Sequence, residues 1–269
     1  MAHKTKINGT AYEISGGKTR VNGTGYSIAG GKTKVNGTAY GISFVNGVPI
    51  STLAVGSTVK IKVNGSSKDF IIIHQGIPNT SIYDASCNGT WLMMKDVYEM
   101  RQWHSSNSNS YKASTIHAYL NGTFLNLVDS SVRSAIKTVK IPYVNGTGSG
   151  GSVASGSNGL SAKIFLLSSY EVGFSFSDSR YTPYEEGVKL NYFIAGKSTD
   201  AKNRRNGKYN GTNALWWLRS PYTKGINSAW NVCPNVGYTS YDCTRENGIR
   251  PAFVLPSETL VDKNSNVRV

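Results

Sequence analysis

Three segments, HKTKINGTAYEISG (3–16), GKTRVNGTGYSIAG (17–30) and GKTKVNGTAYGISF (31–44), align without gaps at a period of 14 residues. A repeat this short confines each copy to one small supersecondary unit. Every copy holds a short alternating run, an Asn-Gly pair, a second such run and a Gly-rich link. Asn-Gly favours the type I′ turn, whose two central residues both need positive φ, so each copy reads as a β-hairpin. One hairpin cannot bury a core, so the three must stack on one another, on a neighbouring chain or on a larger assembly. Residues 1–47 are therefore expected to be a stalk or attachment module.

The remainder, 48–269, is long enough for one domain with a sizeable core. Hydrophobic residues make up 39% and charged residues only 16%, with Gly, Ser, Asn and Thr filling the difference, which suits a turn-rich β protein. No stretch is long and apolar enough to cross a bilayer, and MAHKTKINGT lacks the apolar core of a secretion signal. Membrane insertion is not expected. Work outside a cell would need another route, such as assembly into a particle released by lysis. The net charge of +14 raises the question of nucleic acid. Binders of nucleic acid cluster their cations on one face. Here the cations are dispersed, with one local group at Lys202-Asn203-Arg204-Arg205. A solvated basic surface that eases approach to an anionic cell envelope fits better, and no nucleic-acid partner is expected.

Residues 56–76 read as another hairpin, with Asn64-Gly65 at its turn and Phe70–Ile73 as a buried strand. KDVYEMRQWH (95–104) reads as a helix. Ser114 caps a second helix over STIHAYLNGTFLNLV, interrupted at Gly122, and Asp129 caps a third over SSVRSAIKTV. KIPY (140–143) is extended, and 144–159 is a flexible Gly/Ser-rich loop. AKIFLLS (162–168) is a strand running into a short helix at 169–172. ALWWLRSPY (214–222) and GIRPAFVLP (248–256) are the closing strands. Helices in the middle and paired strands near the end give an α+β domain.

LMMKDVYEMRQW, NSYKASTIHAYLNGTFLNL, AKIFLLSSYEVG, WWLRSPY and GIRPAFVL together resemble one family. It is the domain of unknown function common in Gram-positive gut bacteria, their phages and their prophages. That domain is related to the C-type-lectin-like fold of formylglycine-generating enzymes and of the variable proteins of diversity-generating retroelements. The resemblance covers about residues 48–256, and WWLRSP followed by G-[IV]-R-P-A-F is its most specific part. The NGTAY repeats resemble N-terminal segments of phage tail-associated proteins. The resemblance implies a C-type-lectin-like domain preceded by repeated hairpins. Its closing strands would display the interval 222–247 as a solvent-facing surface.

In the variable proteins that interval carries the exchanged residues. Their hot codon, Asn with a pyrimidine third base, reaches Tyr, Ser, Cys, Asp, Pro and Thr, but never Trp or Glu. Asn231, Cys233, Pro234, Asn235, Tyr238, Ser240, Tyr241, Asp242, Cys243 and Thr244 all fall in the permitted set, whereas Trp230 and Glu246 must be framework. The candidate ligand-binding residues are Tyr222, Asn227, Trp230, Asn231, Cys233, Asn235, Tyr238, Ser240, Tyr241, Asp242 and Thr244. Their Tyr-, Ser- and Asn-rich mixture resembles a paratope, suited to a protein or glycan on a bacterial cell.

The expected protein is a phage or prophage tail-associated receptor-binding protein, located in the virion tail or at a bacterial cell surface. Residues 3–44 would contact other virion proteins, and a homotrimer is in keeping with fibre-like stalks. The alternative is a bacterial surface adhesin, and a formylglycine-generating-like enzyme comes third. No catalytic residue, cofactor or metal is assigned. Nothing matches the enzymes' cysteine pair, Asp242 and Glu246 alone do not make a calcium site, and His74, His104 and His117 share no spacing. Trp216 and Trp217 read as core, one of them partly exposed, and Arg219 and Arg250 as structural. Cys233 and Cys243 pair only if a hairpin brings them together. Two unrelated thiols are favoured.

Overall fold

The computed structural model describes residues 47–269, apart from 147–150, 175–182, 195–202 and 235–236, together with the backbone of six strands between residues 3 and 42. The chain divides into two compact units, Met1–Val48 and Pro49–Val269. In the first, His3–Ile7 pairs with Thr10–Ile14, Lys18–Val21 with Thr24–Ser27, and Gly31–Val35 with Thr38–Ile42, all antiparallel. The innermost partners Ile7↔Thr10, Val21↔Thr24 and Val35↔Thr38 leave one Asn-Gly dipeptide as each connection. The turn geometry itself lies outside the described residues.

The second unit is a mixed α+β domain built on two five-stranded sheets. Its ten principal strands are β1 (Thr58–Val63), β2 (Ser66–Gln75), β3 (Thr90–Met94), β4 (Met100–Gln102) and β5 (Ile164–Phe165), then β6 (Trp216–Pro221), β7 (Ser228–Cys233), β8 (Gly237–Asp242), β9 (Glu246–Gly248) and β10 (Ala252–Leu255). One sheet runs β5-β10-β3-β2-β1 and the other β4-β9-β6-β7-β8. Only the β6–β9 contact is parallel within these sheets.

Asn64 (φ 50°) and Gly65 (φ 72°) supply the two positive φ values of a type I′ turn, so Val63 faces Ser66 and β1–β2 forms the expected hairpin. Phe70–Ile73 are buried, and Phe70 packs on Phe253 of β10 with ring centroids 5.2 Å apart. Trp91 of β3 stands edge-on between Tyr83 and Phe165. The sheet hydrophobics have partners on both sides, so β3, β6 and β10 are buried throughout.

Ser114 accepts the amide of His117 and starts α1 (Thr115–Tyr119). Gly122 does not break the helix. A wider π turn over Leu120–Phe124 carries the chain into α2 (Leu125–Leu127), turning Leu120 and Phe124 into the core. Asp129 accepts the amide of Ser131 and caps α3 (Ser130–Ala135). The helix expected over 95–104 is absent. Neighbouring strands take its backbone groups, with Lys95 N donating to Asp69 O, Val97 N to Lys208 O and Tyr98 N to Ile249 O, and β4 then pairs with β9. Residues 169–172 form a turn, and within the Gly/Ser-rich loop Val153–Ala154 pairs with Tyr143–Val144.

Candidate ligand-binding surface

The framework beneath the candidate surface is β6, WWLRSP, whose six residues are all buried. Trp216 and Trp217 are both 0% exposed, so the expected partial exposure of one is corrected. Adjacent strand positions point to opposite faces, but here both faces are covered. Each indole is satisfied, with Trp216 Nε1 donating to Arg205 O (2.9 Å) and Trp217 Nε1 to Arg101 O (2.8 Å).

Arg219 spends all five of its N–H groups inside the protein. Nη1 and Nη2 hold Glu171 in a bidentate pair (2.5 and 2.8 Å), and the others reach the carbonyls of Pro142, Leu166 and Glu186 at 3.0 Å each. Tyr83 Oη donates to the same Glu171 (2.9 Å). Glu186 is equally buried, yet the guanidinium has no donor left for its carboxyl. Its Oε1 accepts the Val144 amide (2.8 Å) and its Oε2 has no partner. Burial therefore pushes the Glu186 carboxyl up to about 7, against the opposing pull of Arg219. Arg250 is buried as well, donating to the carbonyls of Met94, Lys95 and Arg205 while lying 4.7 Å over the Trp216 ring. Neither arginine is open to a ligand.

On this base stands the β7–β8 hairpin, in continuous register from Ser228↔Asp242 to Cys233↔Gly237. Alternation sorts its side chains. Ser228, Trp230, Val232, Tyr238, Ser240 and Asp242 share one face, and Asn231, Cys233, Thr239 and Tyr241 share the other. Tyr238 and Tyr241 thus point to opposite faces and do not form one patch. On the first face, aromatic rings run Tyr222–Trp230–Tyr238–Phe174 at centroid spacings of 5.2, 5.8 and 5.5 Å. Tyr238 is the exposed member at 37%. On the second face Arg245 lies 4.0 Å over the Tyr241 ring.

Of the candidate residues, Tyr222, Asn227, Cys233, Ser240, Tyr241 and Thr244 are half-buried, and Tyr238 and Asp242 are exposed. Asp242 accepts Ser228 Oγ (3.1 Å) and Asn227 Nδ2 (3.3 Å), which joins these three polar groups at one end of the ladder. Trp230 and Asn231 are corrections: 3% and 0% exposed, they belong to the framework. β7 is an inner strand, covered on both faces, and Asn231 is used internally by Ala229 O and Asn247 Nδ2 (3.1 Å each). Asn235 lies outside the described residues.

All three cysteines are free. Cys233, which pairs with Gly237, and Cys243 sit at opposite ends of the β7–β8 ladder, roughly 20 Å apart at about 3.3 Å per residue, far beyond disulfide reach. Cys243 is buried, which pushes its thiol up to about 12. Among the described residues no group of three or more His, Cys, Asp or Glu side chains gathers to hold a metal.

Two contributors were not legible in the sequence. Asn109 is buried, and its Nδ2 lies within hydrogen-bond distance of the carbonyls of Tyr222, Gly225 and Ser228, fixing the β6–β7 loop. Phe174 closes the aromatic row. Asn109 sits in the Ser/Asn-rich run SSNSNS, where nothing separates it from its neighbours.

A family described as a domain of unknown function, DUF6273, matches residues 88–257. The chain belongs to this family. No curated protein and no solved structure matches it. The DUF6273 region contains β3 to β10, hence the buried β6 framework and the whole β7–β8 hairpin, and leaves out the repeats and the β1–β2 hairpin.

Proposed function

We propose that this DUF6273 protein is a phage or prophage tail-associated receptor-binding protein. Its C-terminal domain is of the C-type-lectin-like kind, and β8 presents the ligand-binding side chains. One observation carries the reading. The WWLRSP and GIRPAF motifs are wholly consumed by the core, while the interval between them puts Tyr238, Ser240, Tyr241 and Asp242 on an edge strand where each is half-buried or exposed. Tyr offers a large, rigid contact area at low entropic cost, and Ser and Thr add adaptable hydrogen bonds. The half-exposed strand suits a macromolecule or glycan better than a small buried metabolite. The 14-residue hairpin repeats then serve attachment to other particle proteins.

Incubating purified protein with a panel of bacterial cells and envelope fractions tests this. Saturable binding to some strains, weakened by Tyr238→Ala, is expected. Uniform, salt-sensitive adsorption to every anionic surface would instead mean that only the net charge acts. A bacterial surface adhesin would use the same surface, and tail-morphogenesis genes beside the gene separate the two.

A further inference from the structure

The buried polar cluster against β6 holds one guanidinium and two carboxyls. Arg219, Glu171 and Glu186 are all 0% exposed. The Arg219–Glu171 pair is neutral by itself, and Arg219 gives Glu186 only a bond to its backbone carbonyl. An ionised Glu186 therefore leaves one uncompensated negative charge in the core, a costly state. β6 turns Arg219 and the Ser220 hydroxyl toward the Glu186 carboxyl, the 168–171 turn adds Glu171, and residue 144 adds its amide. Tyr83 and Tyr111 border the cluster, and burial raises both phenols above their ordinary value. On the segment of Glu186 itself, Glu185 accepts Tyr170 Oη (3.3 Å) and Tyr184 Oη accepts the Gly151 amide (3.1 Å). The described residues of 143–154 include no charged side chain.

Two routes lead from this carboxyl to the β6–β7 loop, 222–227. Along β6, Ser220 precedes Tyr222 by two residues. Ser220 Oγ accepts the amide and the hydroxyl of Ser169 (2.9 and 3.1 Å), which leaves its own O–H to respond to Glu186. The second route starts at Val144, whose amide donates to Glu186 Oε1 (2.8 Å). Two residues on, Gly146 packs so closely on Asn109 and Ser110 that a Cβ would clash with their backbone. Ser110 Oγ also donates to Asn145 Oδ1 (3.3 Å). Asn109 in turn pins the loop, through Nδ2 to the carbonyls of Tyr222, Gly225 and Ser228 and through its amide to Ile226 O. Its Oδ1 is buried without a partner, so nothing else holds this side chain when its neighbours move.

We propose that Glu186 is a protonation switch for the β6–β7 loop. The neutral carboxyl leaves the cluster charge-balanced and the Asn109 pin in place. The ionised carboxyl draws Ser220 and the 144–146 segment toward its unpartnered Oε2 and loosens the loop. Burial moves the change up toward neutral pH, so the tight loop is present below that window and is lost as pH rises through it. Tyr222 and Asn227 of the candidate surface lie on this loop, so ligand binding there would weaken as pH rises. That consequence rests on the receptor-binding reading; the switch itself does not.

The test is an NMR and amide-exchange titration of the full chain between pH 5.5 and 8.5, for wild type and Glu186→Gln. In the wild type, the Val144 amide and the Asn109 side-chain NH2 should shift together with a midpoint at about 7. The protection factors of residues 223–227 should fall about tenfold or more over the same range. In Glu186→Gln all three should stay flat. His74, His104 and His117 are common to both proteins and cancel in the comparison. A Val144 amide that stays flat in the wild type would mean that Glu186 does not titrate and would overturn the proposal. A Val144 amide that titrates while Asn109 and the loop stay constant would overturn the coupling. Loss of loop protection in both proteins alike would assign it to another group and overturn the proposal too. The wild-type titration decides between these results even where the variant fails to fold. No ligand is used, so failure of the switch and failure of the receptor-binding reading are separate results.

Discussion

Replacing Glu186 by Gln should flatten the dependence of stability on pH. The side chain is completely buried, and Arg219 has no N–H left for it after serving Glu171 and three carbonyls. The other titratable groups of the network are Glu171, Tyr83 and Tyr111. Tyr83 donates to Glu171, and Tyr111 Oη accepts the Leu166 amide. With its carboxyl raised from 4.5 to about 7, Glu186 binds more protons in the folded than in the unfolded state between those values. Stability from this group therefore falls as pH rises through that window. No penalty exists below it, and the full penalty exists above about 7. A shift of this size is worth about 3 kcal/mol. At ~2–4 °C per kcal/mol for a domain of this size, the Tm at pH 8 is lowered by about 6–12 °C. Gln keeps the shape and still accepts the Val144 amide, but cannot ionise. His74 and His117 work in the opposite direction, since burial lowers both and their protonation costs stability as pH falls. The comparison must therefore be wild type against Glu186→Gln at each pH. Differential scanning calorimetry between pH 4.5 and 8.5 should show a Tm difference that grows with pH in favour of the variant. Parallel curves for the two proteins would refute the donor count behind the argument.

Arg219→Met should destabilise the domain by about 3–5 kcal/mol, because it strands Glu171 in the core, and adding Glu171→Gln should recover part of the loss in denaturant titrations. Gly187→Ala should cost about 1–3 kcal/mol by the same measurement, since φ is +114° and a Cβ would clash with Tyr83 Oη.

Local chemistry was legible in the sequence wherever it decided the structure. Asn64-Gly65 fixed its own turn, Ser114 and Asp129 their helix starts, and the apolar runs of β2, β6 and β10 their burial. The stretch 95–104 misled because Val97, Met100 and Trp103 recur every third residue, while the backbone partners of Val97 and Tyr98, Lys208 and Ile249, are more than a hundred residues away. Distance in sequence also hid the buried carboxylates, since Glu171 pairs with Arg219 from 48 residues away and Glu186, 33 residues away, gives it only a backbone carbonyl. Within the candidate site, residue type separated display from framework poorly. Trp230 and Asn231 look like paratope residues but occupy an inner strand, and only the β7–β8 register shows that Tyr238 and Tyr241 part company.

The central claim is that β8 answers to a ligand and β6 to the fold. It is tested most directly by measuring Tm and cell binding together for Tyr238→Ala and Trp217→Ala. Tyr238 keeps 37% of its surface exposed, and among the described residues its ring packs on Trp230 and Phe174, so its truncation should cost about 1 kcal/mol of stability. Binding should fall by about 2 kcal/mol or more, roughly thirtyfold. Trp217→Ala should cost about 3–5 kcal/mol of stability. A Tm loss for Tyr238→Ala as large as that for Trp217→Ala, with binding unchanged in the protein that remains folded, would contradict the account.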